Sequence, residues 1–248
     1  MYIRKINKSY LKIDTSQMVE VDRLMMEHYS ISLIQMMENA GRCLAIVARE
    51  EYLSGDVENK RICVLAGTGG NGGGAMVGAR RLSAWGAKVK LFTTAAEESM
   101  TPVPRHQYKI LKRIGIEMGL VDDLDNEKPY DLIIDGIIGY SVKGDPYGTA
   151  KQMIDWTNKQ YTKVLSLDTP SGLDLTSGKA HNPIINADGT LTLAMVKQGL
   201  FSQAAKSKVG QLYLGDISVP PQLYSQPSLG LRAQNVFRFS DIVKIVNE

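Results

Sequence analysis

The chain is most tightly constrained between Cys63 and Val77. There the run Cys63-Val64-Leu65-Ala66 passes into six glycines within eight positions, Gly67-Thr68-Gly69-Gly70-Asn71-Gly72-Gly73-Gly74, and then into Ala75-Met76-Val77. The pattern predicts a strand, a turn of bare backbone and a helix over residues 75–82. At such a junction unpaired amide N–H groups and the positive end of the helix dipole converge where no Cβ blocks close approach, so phosphate or pyrophosphate is the natural guest. Gly67, Gly69 and Gly72 fit the G-x-G-x-x-G pattern, yet that pattern alone is weak, and glycines also serve merely to pack a helix tightly on a sheet. No Lys-Ser or Lys-Thr follows the glycines, as a P-loop requires. Nor does the next strand end on an acid that could hold a ribose: it ends in Thr93-Thr94, and Glu97 and Glu98 come late.

A chain of 248 residues, 44% of them apolar, can bury a large core, and no break in composition marks a boundary, so a single domain over residues 1–248 is expected. The formal net charge is +3 with the basic residues scattered, which points away from nucleic acid and from a membrane surface but remains compatible with a polyanionic metabolite. No apolar run reaches the roughly 18 residues of a membrane span. Arg4, Lys5, Lys8 and Lys12 make the start basic without an apolar signal core behind them; a cytoplasmic protein is expected, with an organelle transit peptide as the alternative. Cys43 and Cys63 sit in apolar runs and read as core thiols of a reducing compartment. His28, His106 and His181 lack the spacing of zinc ligands.

In chain order, a helix is expected from Asp14 or Thr15, capped by Thr15 or Ser16, with Met18, Val21, Leu24 and Met25 at helical spacing. A second follows over residues 32–53, and its methionines read as core filling. Within it, Met37-Glu38-Asn39-Ala40-Gly41-Arg42 places an Asn and a Gly where each costs helix propensity. Gly41 would admit a neighbouring element, while Glu38 and Asn39 either reach a site or lie on a solvated face. Strands are expected over 88–92, 131–135, 163–167, 190–195 and 211–217, with helices over 104–114 and 149–160 between them. This β-then-α order with nearly continuous apolar strands predicts an α/β protein with a mostly parallel sheet covered on both faces. Such sheets hold ligands at the carboxyl ends of their strands.

Those ends carry Asn71 after the first strand, Asp135 on a later one, and Asp168 before Thr169-Pro170-Ser171-Gly172. Two carboxylates at neighbouring strand tips repel unless a cation, a proton or hydrogen-bond donors intervene. A hard cation suits an oxygen-only set of Asn, Asp and Ser, whereas the bland reading has Asp135 and Asp168 binding turn amides. Gly139-Tyr140-Ser141-Val142-Lys143-Gly144-Asp145 forms a hydrogen-bond-rich loop that either closes over a ligand or is a surface turn. Lys197 follows another strand end, where a lysine ordinarily faces solvent but could meet Asp168 or a phosphate.

Several of these segments resemble the YjeF N-terminal family, the NAD(P)HX epimerases. The similar positions run from about Ile13 to Pro220. They include Met37-Glu38-Asn39-Ala40-Gly41, the strand ending Asp135-Gly136-Ile137-Ile138-Gly139, Asp168-Thr169-Pro170-Ser171-Gly172-Leu173-Asp174, Ala187-Asp188-Gly189-Thr190 and Lys197-Gln198-Gly199-Leu200. The resemblance implies a three-layer α/β/α Rossmann-like sandwich with N-terminal helices, usually a homodimer, that interconverts the R and S epimers at C6 of hydrated NADH or NADPH. It implies a potassium ion near Asn71, Asp135 and Ser171. Substrate would contact Gly70, Asn71, Gly72, Gly73, Gly74, the loop from Gly139 through Asp145, and Asp168. Epimerising a carbinolamine carbon needs an acid–base group, for which Asp168 is the choice, with Lys197 holding its charge state or orienting it.

One segment departs from the family. Its glycine turn usually reads Asn-Asn-Gly-Gly-Asp-Gly, whereas Gly70-Asn71-Gly72-Gly73-Gly74-Ala75 lacks the first Asn and the acid. Two readings follow: an active epimerase, or a non-catalytic nucleotide-binding or dimerisation module of the same fold. The retained Asp135, Asp168, Ser171 and Lys197 favour the enzyme. Some relatives carry a dehydratase fused behind this domain, so a separate NAD(P)HX dehydratase is the expected pathway partner.

Overall fold

The computed structural model describes residues 3–6, 12–126, 129–232 and 235–246; Lys8 of the basic N-terminal stretch lies outside them. The chain opens with two short strands, β1 (Arg4–Ile6) and β2 (Lys12–Ile13), followed by helices α1 (Thr15–Glu27) and α2 (Leu33–Val47). Strand β3 (Arg61–Ala66), helix α3 (Gly70–Ala84), β4 (Lys88–Thr93), α4 (Pro102–Arg113) and β5 (Glu117–Gly119) come next. Then come β6 (Leu132–Gly136), α5 (Gly148–Thr157), β7 (Val164–Leu167), β8 (Gly189–Leu193) and β9 (Val196–Lys197). The chain finishes with β10 (Gln211–Gly215), a single-turn α6 (Pro221–Tyr224) and β11 (Ile242–Ile245).

Nine of the described strands form one sheet in the order β1-β11-β10-β8-β7-β6-β3-β4-β5, and only the β10–β11 pairing is antiparallel. The expected mostly parallel α/β architecture is therefore present. From β3 the chain moves outward to β4 and β5, then returns to lay β6, β7 and β8 on the other side. The strand order thus reverses between β3 and β6, and in open α/β sheets the crevice at such a reversal is where ligands bind.

Alternation along the strands divides the core. Ile62, Val64 and Ala66 of β3 join α2 and α3 residues such as Leu44, Met76 and Leu82 on one face. Cys63 and Leu65 point to the other, against Met153 and Trp156 of α5. Both faces of the strand are shut off from water, which is why its sequence is an unbroken apolar run. Cys43 and Cys63 are both buried.

Helix α1 lies across the carboxyl ends of the strands, burying Met18, Val21, Leu24 and Met25 beside Ala194, Met195 and Ile217. Each of these side chains contributes about 1.5–3 kcal/mol of gross burial. Its cap is Asp14 rather than Thr15 or Ser16: the carboxylate accepts the Gln17 amide at 2.8 Å while the Gln17 side chain accepts the Asp14 amide at 3.0 Å. A reciprocal pair of this kind satisfies two helix-end donors at once, so it prevails over a lone hydroxyl. The second helix ends its regular turns at Val47 and continues as a π-helical turn through Ala48–Tyr52.

The glycine segment differs from the expected turn. Helix α3 begins at Gly70, with Gly69 as N-cap, so the glycines of residues 70–74 are its opening turn rather than a loop before it. The reason is close packing: a Cβ on Gly72 would stand 1.9 Å from the Gly67 carbonyl oxygen. Gly41 has the same function on α2, where a Cβ would fall 2.4 Å from that of Val77, and α2 and α3 lie against each other at this point.

Candidate active site

A cavity of about 840 Å³ opens at the β3/β6 reversal. One wall is the start of α3, with Gly69, Gly70, Asn71, Gly72 and Gly74; the opposite wall is the segment after β6, which includes all of residues 139–145; Asp168 and Lys197 are also on its lining. Gly73 is the exception among the expected contacts. It turns away from the cavity, where a Cβ would meet Met37 Sδ at 2.6 Å. The first amides of α3 have no acceptor within the helix and meet the positive end of its dipole, so this wall favours an anion.

Asp168 stands one residue beyond β7 with its backbone in the left-handed region, φ 62°. That conformation is uncommon for a residue with a Cβ and is held here by the Asp168 amide donating to Leu191 O at 2.7 Å. The carboxylate oxygen Oδ1 accepts Lys197 Nζ at 2.6 Å, Thr192 Oγ1 at 3.2 Å and the Leu193 amide at 3.3 Å. Lys197 is wholly buried rather than solvent-facing, and its ammonium also donates to Leu193 O at 2.8 Å and Thr192 Oγ1 at 3.2 Å. Burial of a charge on this scale requires a partner, and Asp168 is that partner.

Asp135 and Ser171 are both fully buried and are not on the cavity's lining, to which they connect by accepting the Ile137 and Ile138 amides. The Asp135 carboxylate accepts Ser171 Oγ at 2.5 Å, Ser166 Oγ at 2.7 Å, the Ser171 amide at 2.9 Å and the Ile137 amide at 3.2 Å. Burial pushes its pKa up, against the pull of these donors. All four donors are neutral, and the turn-amide role is realised. Asn71 has its side chain against Gly139, and its buried Nδ2 has no hydrogen-bond partner among the described residues.

The 139–145 loop is fastened at both ends. The Tyr140 hydroxyl donates to Asp22 Oδ2 of α1 at 2.7 Å. At the far end Asp145 accepts the Asn182 amide at 3.0 Å and faces His181 Nδ1 at 3.2 Å, contacts that hold its carboxyl below the usual range, the backbone donor most of all. Glu38 neither reaches the cavity nor lies free: it accepts Arg80 at 2.6 Å and Gln107 at 3.2 Å, tying α2 to α3 and α4. Asp188 likewise lies away from the cavity, at the amino ends of β7 and β8, where it accepts the Val164 amide and Lys163.

Residues 33–199 match the family model described as YjeF-related protein N-terminus. The chain belongs to the YjeF N-terminal family. Among YjeF-type relatives, an NAD(P)H-hydrate epimerase of Dehalogenimonas lykanthroporepellens is 38% identical over 86% of this chain and 84% of its own length. An NAD(P)H-hydrate epimerase of Entamoeba histolytica is 32% identical over 84% and 88%. A bifunctional NAD(P)H-hydrate repair enzyme of Moorella thermoacetica is 34% identical, and the chain spans only 41% of its length. In structure the chain matches the crystal structure of yeast ynu0 with a TM-score of 0.77, at 25% identity over 94% of this chain and 99% of that one.

Set against the YjeF pattern, the absent acid of the glycine segment has a local counterpart: a Cβ on Gly74 would fall 2.8 Å from Leu167 Cδ2, so a core leucine fills the space. Asp22 of α1 also lines the cavity, a position not expected from the sequence. Its signal was an acid set among Met18, Val21 and Met25 on the stripe that α1 buries, one polar residue where the helical period calls for an apolar one.

Proposed function

We propose that the chain is an NAD(P)H-hydrate epimerase that interconverts the R and S epimers at C6 of hydrated NADH or NADPH. The observation that carries this reading is the buried Asp168–Lys197 pair on the lining of the same cavity as the bare amides of α3. A dinucleotide would lay its pyrophosphate on those amides and its hydrated ring toward Asp168. The cavity's volume falls in the range that small-molecule sites occupy. Inversion at a carbinolamine carbon requires a group that takes and returns a proton, and Asp168 has the position for it. Lys197, anchored by Thr192 and Leu193, fixes the carboxylate's orientation and balances its charge.

Potassium belongs to the same reading. Asn71, Asp135 and Ser171 would hold it, and a bound potassium would supply a fixed positive charge beside the pyrophosphate. Two features support the fit. Among the described residues the Asp135 carboxylate is met only by neutral donors, and the unpartnered edge of the Asn71 carboxamide, turned over, would offer an oxygen. A homodimeric, cytoplasmic protein working beside a separate NAD(P)HX dehydratase completes the proposal.

The test is to follow the purified R epimer by chromatography with the intact chain and with Asp168→Ala. Rapid approach to an epimer mixture with the former and none above background with the latter is expected. No catalysed interconversion by the unaltered chain would overturn the reading.

A further inference from the structure

Inversion through a planar carbon requires proton transfer on each of its two faces, and a single carboxylate at one strand tip serves one of them. The cavity holds a second carboxyl group. Asp22 reaches it from α1, which follows the strand paired with Lys197, and accepts the Tyr140 hydroxyl at 2.7 Å. It is half-buried on an otherwise apolar helical stripe, a costly placement that packing does not explain.

We propose that Asp22, held by Tyr140, is the second acid–base group of the site, serving the departing hydroxyl while Asp168 serves the entering water. This rests on the epimerase reading. In one direction the protonated Asp22 carboxyl gives its proton to the C6 hydroxyl. The C6–O bond breaks, its electron pair leaves with water, and the N1 lone pair forms the C6=N1 iminium. A water then adds to the other face through one of its own lone pairs, the iminium π pair returns to N1, and the added water's proton passes to Asp168. One water leaves and one enters, and the proton moved from Asp22 to Asp168 returns when the opposite epimer is processed or by exchange with solvent.

The surroundings suit two different starting states. Asp168 is ion-paired with Lys197. Around Asp22 stand Tyr140, Lys197 and Asp168, and burial is the largest influence, raising its pKa and favouring the protonated form that an acid needs. Burial raises the Tyr140 phenol as well, which keeps it a donor at neutral pH.

The test compares Asp22→Asn with Asp22→Ala and Tyr140→Phe, measuring kcat and KM with each purified epimer of hydrated NADPH, and affinity for NADP by calorimetry. Asn retains an acceptor for Tyr140 but cannot transfer a proton. The proposal expects Asp22→Asn to lose roughly 100- to 10,000-fold in kcat in both directions with KM and NADP affinity within about threefold, and to lose one limb of the kcat–pH profile. A merely structural fastening predicts that Asn restores what Ala removes. Asp22→Asn with kcat near that of the unaltered chain would overturn the proposal and leave the epimerase reading standing; an unaltered chain that interconverts neither epimer would overturn both.

Discussion

Lys197 Nζ and Asp168 Oδ1 meet at 2.6 Å with side chains only 1% and 6% exposed. Removing one charge of such a pair strands the other. Lys197→Met should therefore lower the unfolding free energy by about 3–5 kcal/mol at neutral pH, and adding Asp168→Asn in the same chain should restore much of it. Urea denaturation of the single and double variants checks this; strictly additive losses would show the pair to be uncoupled.

Asp22 makes a prediction about stability that is separate from rate. Because burial raises its folded pKa above the ordinary value of 3.8, its contribution to stability is fully present below that value and is lost as pH rises through the folded one. Asp22→Asn should consequently be at least as stable as the unaltered chain at about pH 7, with its advantage shrinking as pH falls toward about 3.5. Denaturant midpoints across that range measure the difference, and an advantage that grows toward acid pH would contradict it.

Leu167 controls what position 74 can accept. A side chain there begins 2.8 Å from Leu167 Cδ2, so Gly74→Asp should cost about 1–3 kcal/mol through crowding. Gly74→Asp with Leu167→Val should recover part of that loss. Thermal unfolding of the two variants separates crowding from any intrinsic cost of the acid.

Potassium should leave a mark on stability as well as on turnover. If Asn71, Asp135 and Ser171 hold the ion, the unaltered chain should melt higher in potassium chloride than in tetramethylammonium chloride of equal ionic strength. Asn71→Ala should abolish most of that difference. Equal shifts in both proteins would place the ion elsewhere.

How much was legible in advance depended on whether the signal was local. β3 and β6 announced themselves because strands buried on both faces must be apolar throughout, and Asp135 stood out as a charge at the end of such a run. The boundary of α3 was misplaced because glycine propensity argues against a helix, whereas the tight packing against Gly67 and Met37 that demands glycine there is a tertiary fact. Lys197 appeared as a lone lysine, and only folding shows the shell of Asp168, Thr192 and Leu193 that makes its burial tolerable. Asp22 needed the same information: its partner Tyr140 is remote in sequence, and no pattern within α1 names it.

Strand β2 is hydrogen-bonded to β9, with Ile13 in register with Lys197, and α1 follows β2 directly. The two short strands couple an early segment of the chain to one made much later. A chain without residue 197 lacks both the Asp168–Lys197 pair and the strand pairing that anchors the start of α1. The pairing thus ties the order of α1 to that of the charged pair, and a local opening between residues 13 and 197 should disturb both together.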